Sequence, residues 1–285
     1  MTLELTHISS LRDTVHAWRA AGESIALVPT MGALHAGHMA LVQAARAHAT
    51  RVVVSIFVNP TQFAPNEDFS RYPRPLANDL ALLRQAGVDA AWLPTAEEMY
   101  PEGFATSIRV AGVSEGLDGD FRPTHFSGVA TVVAKLLLQV TPQVALFGEK
   151  DYQQLCVIKR LVSDLNINTN IIGVPTIREA DGLALSSRNQ YLSSEERNIA
   201  PQLHAALQVA ASALMAGGDA SDVLAQAKAQ ILKAGFSRVD YLELRGQDTL
   251  APMPHYQAPA RLLVAAWLGN TRLIDNISIA PEIFS

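Results

Sequence analysis

The chain has 285 residues, with 22 Lys and Arg against 27 Asp and Glu for a net charge of −5, and charged residues make up 17% against 49% apolar ones. At about 150 residues per domain, this length buries one large or two ordinary cores without disulfide or metal staples. The acidic balance and the lack of a basic run argue against a nucleic-acid face or a polybasic membrane patch, and leave small ligands, anionic ones included, as partners. A single cysteine, Cys156, excludes an intrachain disulfide and a zinc site of several thiolates, and fits a reducing compartment. The N-terminus lacks the basic start and apolar stretch of a signal peptide, and the apolar runs at 52–58 and 262–268 fall far short of the about 18 residues of a membrane helix. A cytoplasmic protein is expected.

In chain order, strand and helix patterns alternate from residue 24 onward. Residues 24–28 form a short apolar run closed by Pro29, read as a buried strand, and a glycine-bearing turn follows. Helical periodicity over 37–50 leads to 51–58, an almost wholly apolar run that suits a parallel strand covered on both faces and ends at Asn59-Pro60. A helix at 76–86, a strand at 88–93, a Pro- and Gly-rich loop, a helix at 128–139 and strands at 144–147 and 170–174 about a helix at 151–164 complete the series. Repeated strand, turn and helix units predict an α/β fold, a Rossmann-like doubly wound parallel sheet. From 176 to 194 the chain turns polar, and two Ala-rich helices follow at about 194–216 and 220–234. Runs at 239–244, 261–268 and 271–276, the last two joined at Gly269-Asn270, predict an antiparallel hairpin. The expected division is a domain over 1–176 and a smaller C-terminal α+β lid domain over 177–285.

Ligands of a doubly wound sheet bind beyond the carboxyl ends of its strands. The turn after the first predicted strand reads Pro29-Thr30-Met31-Gly32-Ala33-Leu34-His35-Ala36-Gly37-His38. Gly32 can take a backbone angle closed to other residues, and Gly37 leaves room for a flat ring or a phosphate at the helix start. Unpaired amides and the positive end of the helix dipole favour a phosphate there. His35 and His38 share a helix face, and the dipole favours neutral imidazoles that donate a hydrogen bond to a developing oxyanion. Out of context such a pair is ordinarily a surface feature or a metal site. Between a buried strand and an amphipathic helix, it resembles the HIGH-type signature of nucleotidylyltransferases and class I aminoacyl-tRNA synthetases, which bind ATP at this turn.

Gly148-Glu149-Lys150-Asp151 follows another strand at the same topological position, with Gln154 four residues beyond Lys150. Lys150 offers a point charge to phosphates, and Gln154 donates to and accepts from a carboxylate or hydroxyl. Leu185-Ser186-Ser187-Arg188 lies in the polar stretch, where hydroxyls, amides and one fixed cation suit β and γ phosphates. It is similar to the KMSKS-type loop in its Met-Ser-Ser-Arg form, with Leu185 in place of the methionine. Gln62, after the strand at 51–58, suits a polar ligand beside Phe63 and Met31. Asp79 is a candidate magnesium ligand, against the alternative of dipole compensation in the first turns of a helix. The turn-rich stretch 119–128 reads equally as a substrate flap or as a structural or dimer contact.

These segments, with Phe-Val-Asn-Pro-x-Gln-Phe, Tyr72-Pro73-Arg74, Gly-Asp-Phe-Arg-Pro-x-His-Phe-x-Gly-Val, Phe-Gly-Glu-Lys-Asp-Tyr-Gln-Gln and the Asp-Gly-Leu-Ala-Leu-Ser-Ser-Arg-Asn loop, resemble the pantothenate synthetase (pantoate–β-alanine ligase) family in order from about residue 24 to 194. The ending Arg272-Leu273-Ile274-Asp275-Asn276 resembles it too. The resemblance implies ATP-dependent condensation of (R)-pantoate with β-alanine through pantoyl adenylate, with magnesium and a homodimer. It implies catalytic roles for His38, His35 and Lys150. ATP contacts are expected from Met31, Gly32, Ala33, Leu34, His35, Ala36, Gly37, His38, Gly148, Glu149, Lys150, Asp151, Ile177, Leu185, Ser186, Ser187 and Arg188, and substrate contacts from Gln62 and Gln154. Two rivals are a nucleotidylyltransferase that stops at nucleotide transfer, disfavoured by the paired glutamines, and an ATP-binding sensor without turnover, disfavoured by the presence of both histidines and Lys150.

Overall fold

A computed structural model of the chain describes residues 2–65 and 67–280. Two compact units divide it, one of residues 1–149 and 157–175 and the other of 150–156 and 176–285. The first carries β1 (Leu3–Leu5), α1 (Ile8–Ala20), β2 (Ile25–Thr30), α2 (Ala36–His48), β3 (Arg51–Ile56), α3 (Leu76–Gln85), β4 (Ala90–Trp92), α4 (Ala96–Met99), α5 (Asp118–Phe121), α6 (His125–Val140) and β5 (Val144–Gly148). Helix α7 (Tyr152–Asp164) has its first five residues in the second unit and the remainder in the first, which β6 (Asn170–Val174) completes.

The six strands form one parallel sheet in the order β1-β4-β3-β2-β5-β6, the doubly wound arrangement that the alternating pattern predicts. Both faces are covered, which is why β2 and β3 read as continuous apolar runs. Ala26, Val28, Val52 and Val54 pack against Leu41, Val42 and Ala45 of α2 and Leu80 and Leu83 of α3. Leu27 and Val53, pointing the other way, are likewise fully buried. Each such Leu or Val contributes about 2 kcal/mol by leaving water. Helix α6 is buried along its length except at Ser127, Lys135 and Leu138.

Two features upstream and within the sheet differ from the sequence reading. The series begins at β1 and α1 rather than at residue 24; β1 pairs only with β4, at the sheet edge, and His7 makes no side-chain cap for α1, so neither element carries a strong local signal. Strand β2 also runs through Pro29 to Thr30. Thr30 O accepts from Phe57 N on the β3 side, so alternation puts the backbone of Pro29 on the β5 side. There the β2–β5 ladder already ends at Leu27↔Ala145, whereas the β2–β3 ladder continues to Thr30↔Ile56. The missing N–H of Pro29 is therefore harmless, and it leaves β2 and β5 parted at their carboxyl ends. Strand order reverses between these same two strands, which makes the opening a topological switch point.

The second unit contains a loop with an Arg178↔Ala184 bridge, a short 3-10 turn (Ser187–Tyr191), α8 (Ser194–Ile199), α9 (Gln202–Met215), α10 (Ala220–Ala234), and β7 (Arg238–Gly246), β8 (Ala260–Leu268) and β9 (Thr271–Ile279) in an antiparallel sheet. The helix expected over 194–216 is two helices, because Pro201 supplies no N–H to continue α8. Gly269-Asn270 is the two-residue turn of the β8–β9 hairpin, with Leu268 opposite Thr271. Leu203, Leu207, Ala210 and Leu214 of α9 and Ile231 of α10 pack on Leu262, Val264 and Leu273 of this sheet.

Candidate active site

The turn leaving β2 is held from beneath by one carboxylate. Asp79, in the first turn of α3 and 1% exposed, accepts hydrogen bonds from Ala33 N at 2.9 Å and Leu34 N at 2.8 Å. Gly32 has φ +82°, and a Cβ there would stand 3.0 Å from Asp79 Oδ2 and 3.1 Å from Ile56 Cγ2. Ala33, at φ +50°, adopts the left-handed conformation that costs a non-glycine residue about 1 kcal/mol, offset by its bond to Asp79. The metal role expected of Asp79 does not fit this geometry: each carboxylate oxygen is committed to a backbone amide in the interior. Among the described residues, no group of three or more His, Cys, Asp and Glu side chains could hold a metal ion.

His35 and His38 sit at the start of α2 with defined ring chemistry. His35 is the N-cap and its Nδ1 accepts from Gly37 N at 3.1 Å, while His38 Nδ1 accepts from His35 N at 3.2 Å. A backbone N–H only donates, so both Nδ1 atoms are acceptors and both rings are neutral with the proton on Nε2. Their centroids are 4.1 Å apart. The pair thus completes the helix cap, with the proton of each ring on Nε2.

Gln62 is brought to the same turn: its Nε2 donates to Met31 Sδ at 2.9 Å. Its orientation is set by Asn59, whose Oδ1 accepts from Thr61 N (3.3 Å) and Tyr100 OH (2.7 Å), and whose Nδ2 donates to Gly128 O (3.2 Å) and Gln62 Oε1 (3.1 Å). One backbone donor and one backbone acceptor fix which way the Asn59 amide faces, and Gln62 must then turn its NH2 away from Asn59, toward Met31. The stretch 119–128 is a buttress for this turn. A Cβ on Gly128 would lie 2.4 Å from Thr61 O, and His125 Nδ1 donates to Gln62 O at 2.9 Å. Arg122 grips Glu67 through Nε (2.5 Å) and Nη2 (2.8 Å) and meets His125 Nε2 at 3.2 Å. Burial, then the Arg122 charge, push the His125 pKa down to about 4. Burial alone would raise the Glu67 carboxyl, but its hydrogen bonds and attraction to Arg122 outweigh this and hold it below the ordinary value.

Gly148 ends β5 and Glu149–Asp151 form a 3-10 turn, so Gly148 and Glu149 stand with residues 31–38 at the switch point of the first unit. In the second unit, Lys150 begins the segment that includes half-buried Gln154 and buried Gln153. Lys150 O accepts from Asn276 Nδ2 at 2.9 Å, and the Arg261 guanidinium lies 3.5 Å from the centroid of the Tyr152 ring. In the loop at 176–192, Leu185 N donates to Ile177 O (2.9 Å), Ser186 Oγ caps the 3-10 turn by accepting from Arg188 N (3.3 Å), and Ser187 is buried. Arg178, at the base of this loop, forks onto Asp275 at 2.7 and 2.8 Å. Burial would raise the Asp275 carboxyl, but His204, Arg178 and the Asn276 amide together hold it below its usual range. Arg178, Asp275 and Asn276 escaped the sequence reading as site residues because their partners lie far along the chain, while Asn59, His125 and Gly128 lie in stretches it singled out without the contacts seen here.

A sequence model of the pantoate-beta-alanine ligase family matches residues 4–278. The chain is 58% identical over 274 residues to the pantothenate synthetase of Paramagnetospirillum magneticum, covering 96% of each. It is 56% identical over 272 residues to that of Mesorhizobium japonicum, covering 95% of this chain and 96% of the relative. The crystal structure of pantothenate synthetase from Thermus thermophilus superposes with a TM-score of 0.92 at 48% identity, covering 98% of this chain and 100% of that one. That of the Francisella tularensis pantoate–β-alanine ligase, complexed with beta-gamma ATP and β-alanine, gives 0.82 at 36% identity and covers 98% of each. No helix among the described residues is long and apolar enough to cross a membrane. With its parallel sheet, its histidine-capped turn and its full-length kinship, the chain belongs to the pantoate–β-alanine ligase family.

Proposed function

We propose that this ligase condenses (R)-pantoate with β-alanine in two steps. The pantoate carboxylate attacks the α-phosphorus of ATP, forming a C(O)O–P bond as the bond to pyrophosphate breaks. The neutral amine of β-alanine then attacks the acyl carbon of pantoyl adenylate, AMP departs, and the amine gives up a proton. The observation that carries this reading is the juxtaposition at one turn of two imidazoles, each accepting a backbone N–H at Nδ1, and the buried Gln62 amide that bonds Met31.

In the first step negative charge grows at the α-phosphate, where His35 and His38 are placed as donors that need no reorganisation; one such donor is worth about 3 kcal/mol in a water-poor site. His38 matches the residue given the donor role in the family, and here it donates a hydrogen bond from Nε2–H. Neutral imidazoles fit this role, since each donates without placing a full charge beside the helix start. ATP contacts are assigned to Met31 to His38, Gly148 to Asp151, Ile177 and Leu185 to Arg188, with Lys150 as a phosphate cation. Gln62 and Gln154 are assigned to pantoate, and Gln62 also to β-alanine. ATP enters as its magnesium complex, with the phosphates rather than Asp79 carrying the ion. The second step requires an oriented amine, so proximity supplies much of it. We further assign the protein to the cytoplasm as a homodimer.

The test follows pyrophosphate and AMP release from magnesium ATP and (R)-pantoate, with and without β-alanine, with mass detection of the acyl product. Pantoate-dependent pyrophosphate release, with pantothenate formed only when β-alanine is present, is the expected result. ATP binding without turnover would overturn the assignment.

A further inference from the structure

We infer that the Asp275-Asn276 dipeptide of β9 is a positioning element that sets the backbone carrying Lys150 in register with the Ser186–Arg188 loop. The inference rests on the reading that these two segments contact the ATP phosphates. Both segments belong to the second unit, although Lys150 lies only two residues beyond Gly148, the end of the first unit's β5. Asp275 and Asn276 are each 4% exposed, at adjacent positions of a strand whose side chains alternate between two faces. One therefore serves each side.

Asp275 takes the Arg178 fork with both oxygens and also accepts from Asn276 N at 2.7 Å. Arg178 in turn bonds Gly182 O at 3.1 Å and is bridged by its backbone to Ala184, immediately before Leu185. The base of the phosphate loop is thereby pinned to β9 by a part-buried bidentate ion pair, whose two parallel bonds fix its geometry. Asn276 faces the other way: its Nδ2 donates to Lys150 O at 2.9 Å and its Oδ1 accepts from Arg261 Nη1 at 2.5 Å. Arg261 lies over the Tyr152 ring, so the turn is held both at Lys150 and two residues later. Catalytic donors lose effect when displaced by about 1 Å. Nothing in Asp275 or Asn276 need touch ATP for their loss to be felt there.

The two halves of the reaction separate positioning from mere support of the fold. Pyrophosphate is present only in the first half, so in Asn276→Ala single-turnover pyrophosphate release falls about tenfold, with the apparent KM for ATP raised and that for pantoate unchanged. Transfer from supplied pantoyl adenylate to β-alanine stays within about threefold of wild type. Arg178→Lys, which keeps the charge but loses the fork, gives the same split and decides the question if Asn276→Ala does not fold. Parallel loss in both halves, matching a lowered melting temperature, would show a structural role and overturn the inference. So would wild-type rates in both halves. If the wild-type protein itself releases no pyrophosphate with pantoate, the functional reading fails and the inference with it; wild-type turnover with a parallel loss in the variants removes the inference alone.

Discussion

Replacing Asp79 by Asn separates a role in shaping the turn from a role in holding metal. The wild-type carboxylate receives two backbone amides, at 2.9 and 2.8 Å, in a site 1% exposed. Asn keeps one acceptor and points its NH2 at the other N–H. One charge-assisted bond is worth about 1.5–3 kcal/mol, and a buried donor left unpaired costs about 1–3 kcal/mol. The two figures overlap, and together they amount to about 3 kcal/mol, or roughly 5 °C in melting temperature for a chain of this size. Because Ala33 holds a left-handed conformation against that carboxylate, relaxation of the turn shifts His35 and the start of α2, and adenylation falls at least about tenfold. Calorimetry in EDTA and pyrophosphate release across a magnesium titration measure both effects. The shape of the magnesium dependence should be unchanged. An unaltered melting temperature in EDTA with a magnesium requirement shifted upward would refute the reasoning and restore Asp79 as a ligand.

Three further outcomes are expected. His38→Ala lowers single-turnover pyrophosphate release about a hundredfold by removing the Nε2–H donor; a near-normal rate would exclude His38 as that hydrogen-bond donor. Gly128→Ala puts a Cβ 2.4 Å from Thr61 O and 2.7 Å from Gln62 Cα, so the turn at residues 60–62 must shift and the KM for pantoate rises about tenfold or more while that for ATP holds; equal changes in both would argue against a local effect. His125 has its pKa lowered to about 4 in the fold, so between pH 6.5 and 4 the unfolded chain binds a proton that the folded chain does not, and stability falls as pH falls through that window. The full difference is about 3 kcal/mol, and Glu67, also held low, adds a loss in the same direction at still lower pH. Urea unfolding between pH 7 and 4.5 should show this slope in the wild type and a flatter one in His125→Gln; identical slopes would dismiss the assignment.

Much of this protein is legible from local pattern. The apolar runs of β2, β3, β5 and β6, the helical periodicity of α2, α7 and α10 and the glycine turn of the β8–β9 hairpin are short-range signals, because burial on both faces or on one stripe constrains residues within a few positions of each other. The histidine turn is legible for the same reason: its cap, dipole and glycines lie within eight residues. What escapes are features whose partners lie far away. Edge strand β1 depends on β4 nearly ninety residues later, and the division of the predicted 194–216 helix depends on one proline whose effect competes with strong helix formers on either side.

The chemistry of the site divides along the same line. Residue types and spacing determined that two imidazoles stand at a helix start and that the fold is a doubly wound sheet, and they raised the expectation that Lys150, Gln62 and Gln154 meet polar or anionic ligands. Only the tertiary structure decided which nitrogen of each imidazole carries the proton, which way Gln62 faces, that Asp79 supports the turn, and that Asp275 and Asn276 hold two segments more than eighty residues before them in the chain. Hydrogen-bond direction is settled by the partner, and in each of these cases the partner is a backbone group or side chain brought near by packing rather than by sequence.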